Sequence, residues 1–124
     1  MSAAILQGVP ATTLDTDIWL DLPTRAYFRV LELCRGLGAT TLGRTAVALR
    51  DDTLINFLYR VDGLRSFAAE AGKAVRLRWL GTTVDVMPIQ SIIKSKQFVQ
   101  RPKDVAHLPL LRETLQLQRR LARR

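Results

Sequence analysis

"TTLDTDIWLDLP", residues 12–23, decides the fold, because apolar and polar side chains alternate through it with a period of two. From Thr13 to Leu22, one face takes Leu14, Thr16, Ile18, Leu20 and Leu22, and the other takes Thr13, Asp15, Asp17, Trp19 and Asp21. The pattern predicts a strand with a core side and an acidic side. Three carboxylates at that spacing are either the solvated face of a sheet or a place for divalent cations.

On either side of this strand the periodicity changes. Residues 3–7 read as the end of a helix stopped by Gly8 and Pro10. In "TRAYFRVLELCRGLG" (24–38), Tyr27, Val30, Leu31, Cys34 and Leu37 recur at helical spacing, with Thr24 as the expected cap and Gly36 and Gly38 as the stop. "RTAVALR" (44–50), "TLINFLYRV" (53–61), "AVRLRWL" (74–80) and "TTVDVMPI" (82–89) are rich in β-formers, with turn chemistry at "DD" and "LGTT". "GLRSFAAEAG" (63–72) predicts a short helix closed by Gly72.

After Pro88, "IQSIIKSKQFV" (89–99) predicts a helix with Ile89, Ile92, Ile93 and Phe98 inward and Lys94 and Lys96 elsewhere. A final helix is expected from near "PKD" (102–104) to the end, restarted or bent at Pro109. The sum is an α+β fold: a mixed β-sheet with flanking helices and a helical C-terminus, in one domain over residues 1–124. At 48% hydrophobic residues, a chain of 124 can build its own core.

No segment approaches the roughly 18 apolar residues that span a bilayer, and "MSAAILQGVP" lacks the basic lead and apolar length of a secretory signal. The expected location is the cytoplasm, with no membrane partner. Cys34 is the single cysteine and is expected to serve packing. The formal charge of +8 is uneven. Residues 94–124 hold nine Lys or Arg against Asp104 and Glu113, whereas the first 93 residues hold ten against nine acids. A C-terminal third that basic attracts polyanions; equally, Arg near a helix end complements the helix dipole.

One histidine and one cysteine exclude a Cys/His zinc site, and neither a P-loop nor a nucleophile elbow is present. Polar chemistry is left to carboxylates and bases. Asp15 and Asp17 project from one strand face about 6.5 to 7 Å apart along the backbone, within reach of shared metal ions. Hard oxygen ligands of this kind suit Mg²⁺ bridging to substrate phosphates. In "IIKSKQFVQRPKD" (92–104), Lys96, Arg101 and Lys103 gather cations at a helix end, able to hold a triphosphate. The competing reading is a solvated basic turn in which Asp104 caps the last helix.

"AAILQGVPATTLDTDIWLD" (3–21) resembles the first motif of small bacterial nucleotidyltransferase-like proteins of the DNA polymerase β superfamily, of the toxin-antitoxin and abortive-infection type. There a Gly-Gly or Gly-Ser turn, a short helix, a Gly-x-Pro-x-x-Thr connection and an Asp-x-Asp strand follow one another. "IIKSKQFVQRPKDVAHLPLLRETL" (92–115) resembles the C-terminal motif of the same group. The resemblance implies a nucleotidyltransferase fold with Mg²⁺ at Asp15 and Asp17, one of them accepting the acceptor's proton. It also implies triphosphate binding near Lys96, Arg101 and Lys103, and transfer of a nucleotidyl group to a protein or RNA hydroxyl.

The departures from the pattern are equally specific. The Gly-rich turn would lie just before "SAAIL", where this chain has Met1, so the expectation is an N-terminally shortened member of the group: either the start codon is placed too far downstream or the domain has lost an element. Asn56 stands where a third metal-binding carboxylate is expected; Asp62, at an "RVDG" turn, reads as structural; and Ala11 replaces a common Arg. A sheet lacking its first strand has an unpaired edge, which predicts a dimer or hetero-complex. Two other functions follow from the same residues: a catalytically degenerate binding or antitoxin subunit, and a small basic RNA-binding protein. The last is weakened by Phe98 being the one aromatic among the C-terminal bases.

Overall fold

The computed structural model describes residues 1–13 and 15–123. Leu14, expected on the core face, and Arg124 lie outside the described residues. In chain order the elements are α1 (Ser2–Leu6), β1 (Asp15–Trp19), α2 (Thr24–Gly36), β2 (Thr40–Thr41), β3 (Ala46–Ala48) and β4 (Leu54–Leu58). There follow α3 (Phe67–Ala71), β5 (Val75–Trp79), β6 (Thr82–Val86), α4 (Ile89–Val99) and α5 (Pro102–Ala122). The fold is α+β, with a mixed four-stranded sheet, a separate two-stranded sheet and a helical C-terminus. The chain divides into two compact units, Thr13–Arg60 with Ser2, and Val61–Arg124 with Met1 and Ala3–Thr12.

In the unit built on Thr13–Arg60 the strand order is β1-β4-β3-β2. β1 runs parallel to β4, and β3 is antiparallel to both β4 and β2. A parallel pair cannot be joined by a tight turn, and the chain from 20 to 53, with α2 in it, makes the crossover. Tyr27 and Leu31 of α2 are buried against Val47 and Phe57, with Leu20, Val30, Cys34 and Ile55 around them. Ile55 and Phe57 stand beside Thr16 and Ile18 in the register, and Leu20 joins the same core, but Ile18, expected on the core face, is exposed. The strand is shorter than expected: Asp21 and Leu22 lie beyond its end.

Two details of α2 differ from expectation. Pro23, not Thr24, is the N-cap, and no side chain caps the helix; the fixed φ of proline supplies the extended entry that a cap residue needs. Leu37 is exposed because it sits past the last helical residue, at the C-cap. Leu49 to Thr53 form a three-residue hairpin loop. Asp52 is at φ 67°, and Asp51 Oδ1 accepts from the Thr53 amide at 3.1 Å.

In the other unit, Ala4, Val9, Ile89, Ile92 and Leu111 form the core, with Met87, Ile93, Leu110 and Leu115 packed on it. Each buried Ile or Leu contributes about 2 kcal/mol by leaving water. β5 and β6 pair antiparallel across Leu80-Gly81, and both turn residues have positive φ, 50° and 77°, as a type I′ turn requires. Gly63 is at φ +82°, and a Cβ there would come within 2.6 Å of Phe98 Cβ. Only glycine fits this turn against α4. Beside it, Ser95 Oγ donates to the Asp62 carbonyl at 2.7 Å.

Phe98 is exposed rather than inward. At about 100° per residue it lies nearly opposite Ile89, whereas Lys96, seven residues on from Ile89, lies almost directly along its line. α5 runs through Pro109 without a break. Among the described residues no helix is long and apolar enough to cross a membrane.

Candidate functional site

The acidic group is built by the parallel register of β1 and β4. Asp15 stands beside Leu54 and Asp17 beside Asn56, so both aspartates and Asn56 share the sheet face opposite Phe57. Asn56 Nδ2 donates to Asp17 Oδ1 at 3.1 Å. Asp17 is exposed and Asp15 half-buried. The start of the strand is tied down through its backbone: Thr13 Oγ1 accepts from the Asp15 amide at 3.2 Å and donates to its carbonyl at 3.1 Å. Ser2 Oγ also donates to the Asp15 carbonyl at 3.1 Å and lies 3.2 Å from Thr16 Oγ1. Asp21, past the strand end, does not extend the ladder, which has two rungs rather than three.

Among the described residues no three His, Cys, Asp or Glu side chains stand together as a metal-binding group. Mg²⁺ asks for less, since it is commonly held by one or two carboxylates with water and substrate phosphates completing the octahedron. The donor set of Asp15 and Asp17 fits that requirement: both oxygens of Asp15 and Oδ2 of Asp17 are hard ligands not taken by Asn56. Asn56 brings no charge. One of its two amide hydrogens is spent on Asp17, and its carbonyl oxygen is left as a neutral ligand.

The basic group is organised in the other unit, around a carboxylate. Asp104 is 1% exposed, and Lys96 Nζ donates to its Oδ1 at 3.0 Å with the lysine side chain itself only 13% exposed. Arg101 Nε donates to Oδ2 at 2.8 Å and Nη2 to Oδ1 at 3.4 Å. The Arg101 amide also donates to Oδ2, at 3.2 Å, so Asp104 in the first turn of α5 satisfies the backbone at the helix entry. Burial raises the pKa of this carboxyl, but the hydrogen bonds and charges of Arg101 and Lys96 outweigh it and bring the value down to about 2.

Lys96 Nζ lies 3.4 Å from His107 Nδ1. Burial, then the charge of Lys96, lowers the pKa of that imidazole, which favours the neutral ring; with its proton on Nε2, Nδ1 can accept from the ammonium. Lys103, one residue before Asp104, is exposed. Of the three expected phosphate ligands, Lys96 and Arg101 are therefore brought together by a buried acid, and Lys103 alone projects from the helix start. The signal for this was Asp104 itself, three residues after Arg101 and eight after Lys96.

No protein-family model, curated protein or solved structure matches this chain.

Proposed function

We propose that the chain is a nucleotidyltransferase-like protein that binds a nucleoside triphosphate with Mg²⁺ through Asp15 and Asp17 and passes its nucleotidyl group to a protein or RNA hydroxyl. The setting proposed is a cytoplasmic toxin-antitoxin pair. The observation that carries the reading is the β1–β4 register, which gives two aspartates and Asn56 one common face. A bound Mg²⁺ would supply charge neutralisation at the reacting phosphate. Asp15 and Asp17 would hold it, and one of the two would accept the proton of the attacking hydroxyl. In the reaction the acceptor oxygen bonds to the α-phosphorus as the bond to the bridging oxygen breaks, and pyrophosphate leaves. Asn56, by donating to Asp17, holds that carboxylate in place.

Titration calorimetry with each nucleoside triphosphate, with and without Mg²⁺, tests this. Mg²⁺-dependent binding that Asp15→Asn/Asp17→Asn removes is the expected result. Binding to none of them overturns the enzyme reading.

A second reading is favoured by Asn56 and Asp104: a degenerate relative acting as a binding or antitoxin subunit. A neutral amide occupies the position of the third carboxylate, and two of the three basic residues are committed to an internal acid. Nucleotide binding without transfer, in the presence of candidate protein and RNA acceptors, is its signature.

A further inference from the structure

The unit holding α4 and α5 contains a cleft of about 510 Å³, within the size range of small-molecule sites. Val75, Ile89 and Leu115 give it apolar lining, and Gln7, Glu70 and Lys73 are among its polar residues. Glu70 is the unusual member, a carboxylate only 7% exposed. Its Oε1 has a structural task, accepting from the Arg65 amide at 3.3 Å just before α3. Its Oε2 has no hydrogen bond among the described residues. Lys73 Nζ stands 3.7 Å from that oxygen, near enough for an ion pair and too far for a hydrogen bond.

Lys73 is poorly matched to the acid it faces. The lysine side chain is 59% exposed and that of Glu70 6%, so the ammonium keeps much of its water while the carboxylate has lost most of its own. An exposed lysine held this loosely contributes little, whereas a carboxylate out of water needs hydrogen bonds as well as charge around it. Asp104, in the same unit, has both: Lys96 at 3.0 Å and Arg101 at 2.8 Å each donate to it. Glu70 has no such donor at Oε2 and lines a cleft instead. Gln7, which lines the same cleft, also has no donor left. Its Nε2 donates to the Ala3 carbonyl at 3.0 Å and to the Met87 carbonyl at 2.7 Å, which takes up both amide hydrogens and leaves the side chain an oxygen acceptor. Lys94, the other cation of the lining, is exposed, and water and salt screen it.

We propose that this cleft binds a small organic cation, a primary amine or amidinium with an apolar body, whose charged group hydrogen-bonds to Glu70 Oε2 and displaces Lys73 from it. The apolar lining takes the body. A head group carried into the cleft leaves water as the carboxylate has done, so the two charges meet with less screening than Glu70 and the exposed lysine do. The site lies wholly within one unit and uses neither Asp15 nor Asp17, so it stands or falls apart from the nucleotidyl-transfer reading.

The test is a titration of the full ¹⁵N-labelled chain, followed by amide chemical shifts, with benzylamine, benzamidine, benzyl alcohol and benzoate as probes. Saturable shifts at residues 70–75 and 89–91 are expected with the two cations and not with the alcohol or the anion, and the relative affinities of the cations show which head group is preferred. Glu70→Gln, which keeps an oxygen for the Arg65 amide, should weaken cation binding about tenfold or more, as loss of a charge-assisted hydrogen bond does. Lys73→Gln should act in the opposite direction and tighten it about twofold, the scale of an exposed ion pair, because the competing ammonium is gone. Asp85→Asn, which removes an exposed acid paired with Arg76 elsewhere in the unit, should leave the Kd unchanged. The proposal is overturned by absent or non-saturable shifts at 70–75 and 89–91, by equal or tighter binding of benzyl alcohol or benzoate, or by an unaltered Kd in Glu70→Gln. If Glu70→Gln does not fold, Lys73→Gln decides, since an exposed lysine can be changed without disturbing the core: an unchanged or weaker Kd there overturns the proposal.

Discussion

Asp104 and Asp17 are the same residue in opposite circumstances. Asp104 is 1% exposed and receives hydrogen bonds from Lys96 and from the side chain and backbone of Arg101, whereas Asp17 stands on an exposed strand face with the Asn56 amide beside it. A carboxylate taken out of water costs several kcal/mol unless cations meet it. The bases around Asp104 are therefore required by folding before any ligand is considered. Exposed Asp17 imposes no such demand, and its remaining oxygen is available to a cation. Burial thus separates a charge that holds the chain together from one that solvent and ions can reach.

The largest test of that contrast removes the buried acid. Asp104→Ala leaves Lys96 largely buried without a counter-ion and removes the acceptor for the Arg101 amide. A loss of about 3 to 5 kcal/mol is expected, the range for breaking one side of a buried pair, read from urea unfolding. A loss below about 1 kcal/mol, the scale of an exposed ion pair, would mean that Asp104 is no more structural than Asp17.

Acid should act on the same contact. The folded pKa of Asp104, about 2, is depressed below the ordinary 3.8, so its stabilisation is complete above about pH 4 and disappears as the pH falls towards 2. His107 adds an earlier window. Burial first, then the charge of Lys96, depresses its pKa below the ordinary 6.5. Below that value the unfolded chain takes up a proton that the folded one resists, and stability falls with pH. Urea midpoints across pH 7 to 2 should decline in both windows. His107→Gln should flatten the first and Asp104→Asn the second; because the Asp104 charge opposes the depression at His107, its loss should also steepen the first.

On the acidic face, Asn56→Asp replaces an amide donor with a second carboxylate at a position where the present contact is 3.1 Å. Without divalent cations this should cost about 1 kcal/mol, the scale of a like-charge pair across neighbouring strands. Millimolar Mg²⁺ should restore the loss, because binding to the folded state alone adds stability. A midpoint lowered by the same amount with and without Mg²⁺ would show that these side chains do not share an ion.

The sequence made the strand–helix order and the two faces of β1 legible because alternation and helical spacing are local properties. It was less informative wherever a distant residue decides. Lys96 falls on the line of Ile89, Ile92 and Ile93, a position that reads as a defect in an apolar stripe until Asp104, eight residues on, is placed against it. Phe98 reads as inward on its apolarity, but its angle turns it away from Ile89 and it is exposed. Asp21 continues the alternation in the sequence, but the pairing of β1 with β4 ends at Trp19 and Leu58.

The smallest expected effect on stability belongs to the residues with the largest proposed role. Asp15→Asn/Asp17→Asn preserves size, keeps an oxygen acceptor at each position and leaves the backbone bonds of Asp15 to Thr13 and Ser2 intact. Its effect on the urea midpoint should be within about 0.5 kcal/mol, as for surface changes away from caps and buried networks. Two negative charges on one face repel each other when no cation is present, so the sign should be slightly stabilising in the absence of Mg²⁺ and should reverse when Mg²⁺ is added. Such a reversal cannot come from packing, which is blind to the cation. A cost of several kcal/mol in either condition would place Asp15 and Asp17 with Asp104 as structural acids and remove the distinction between the two groups.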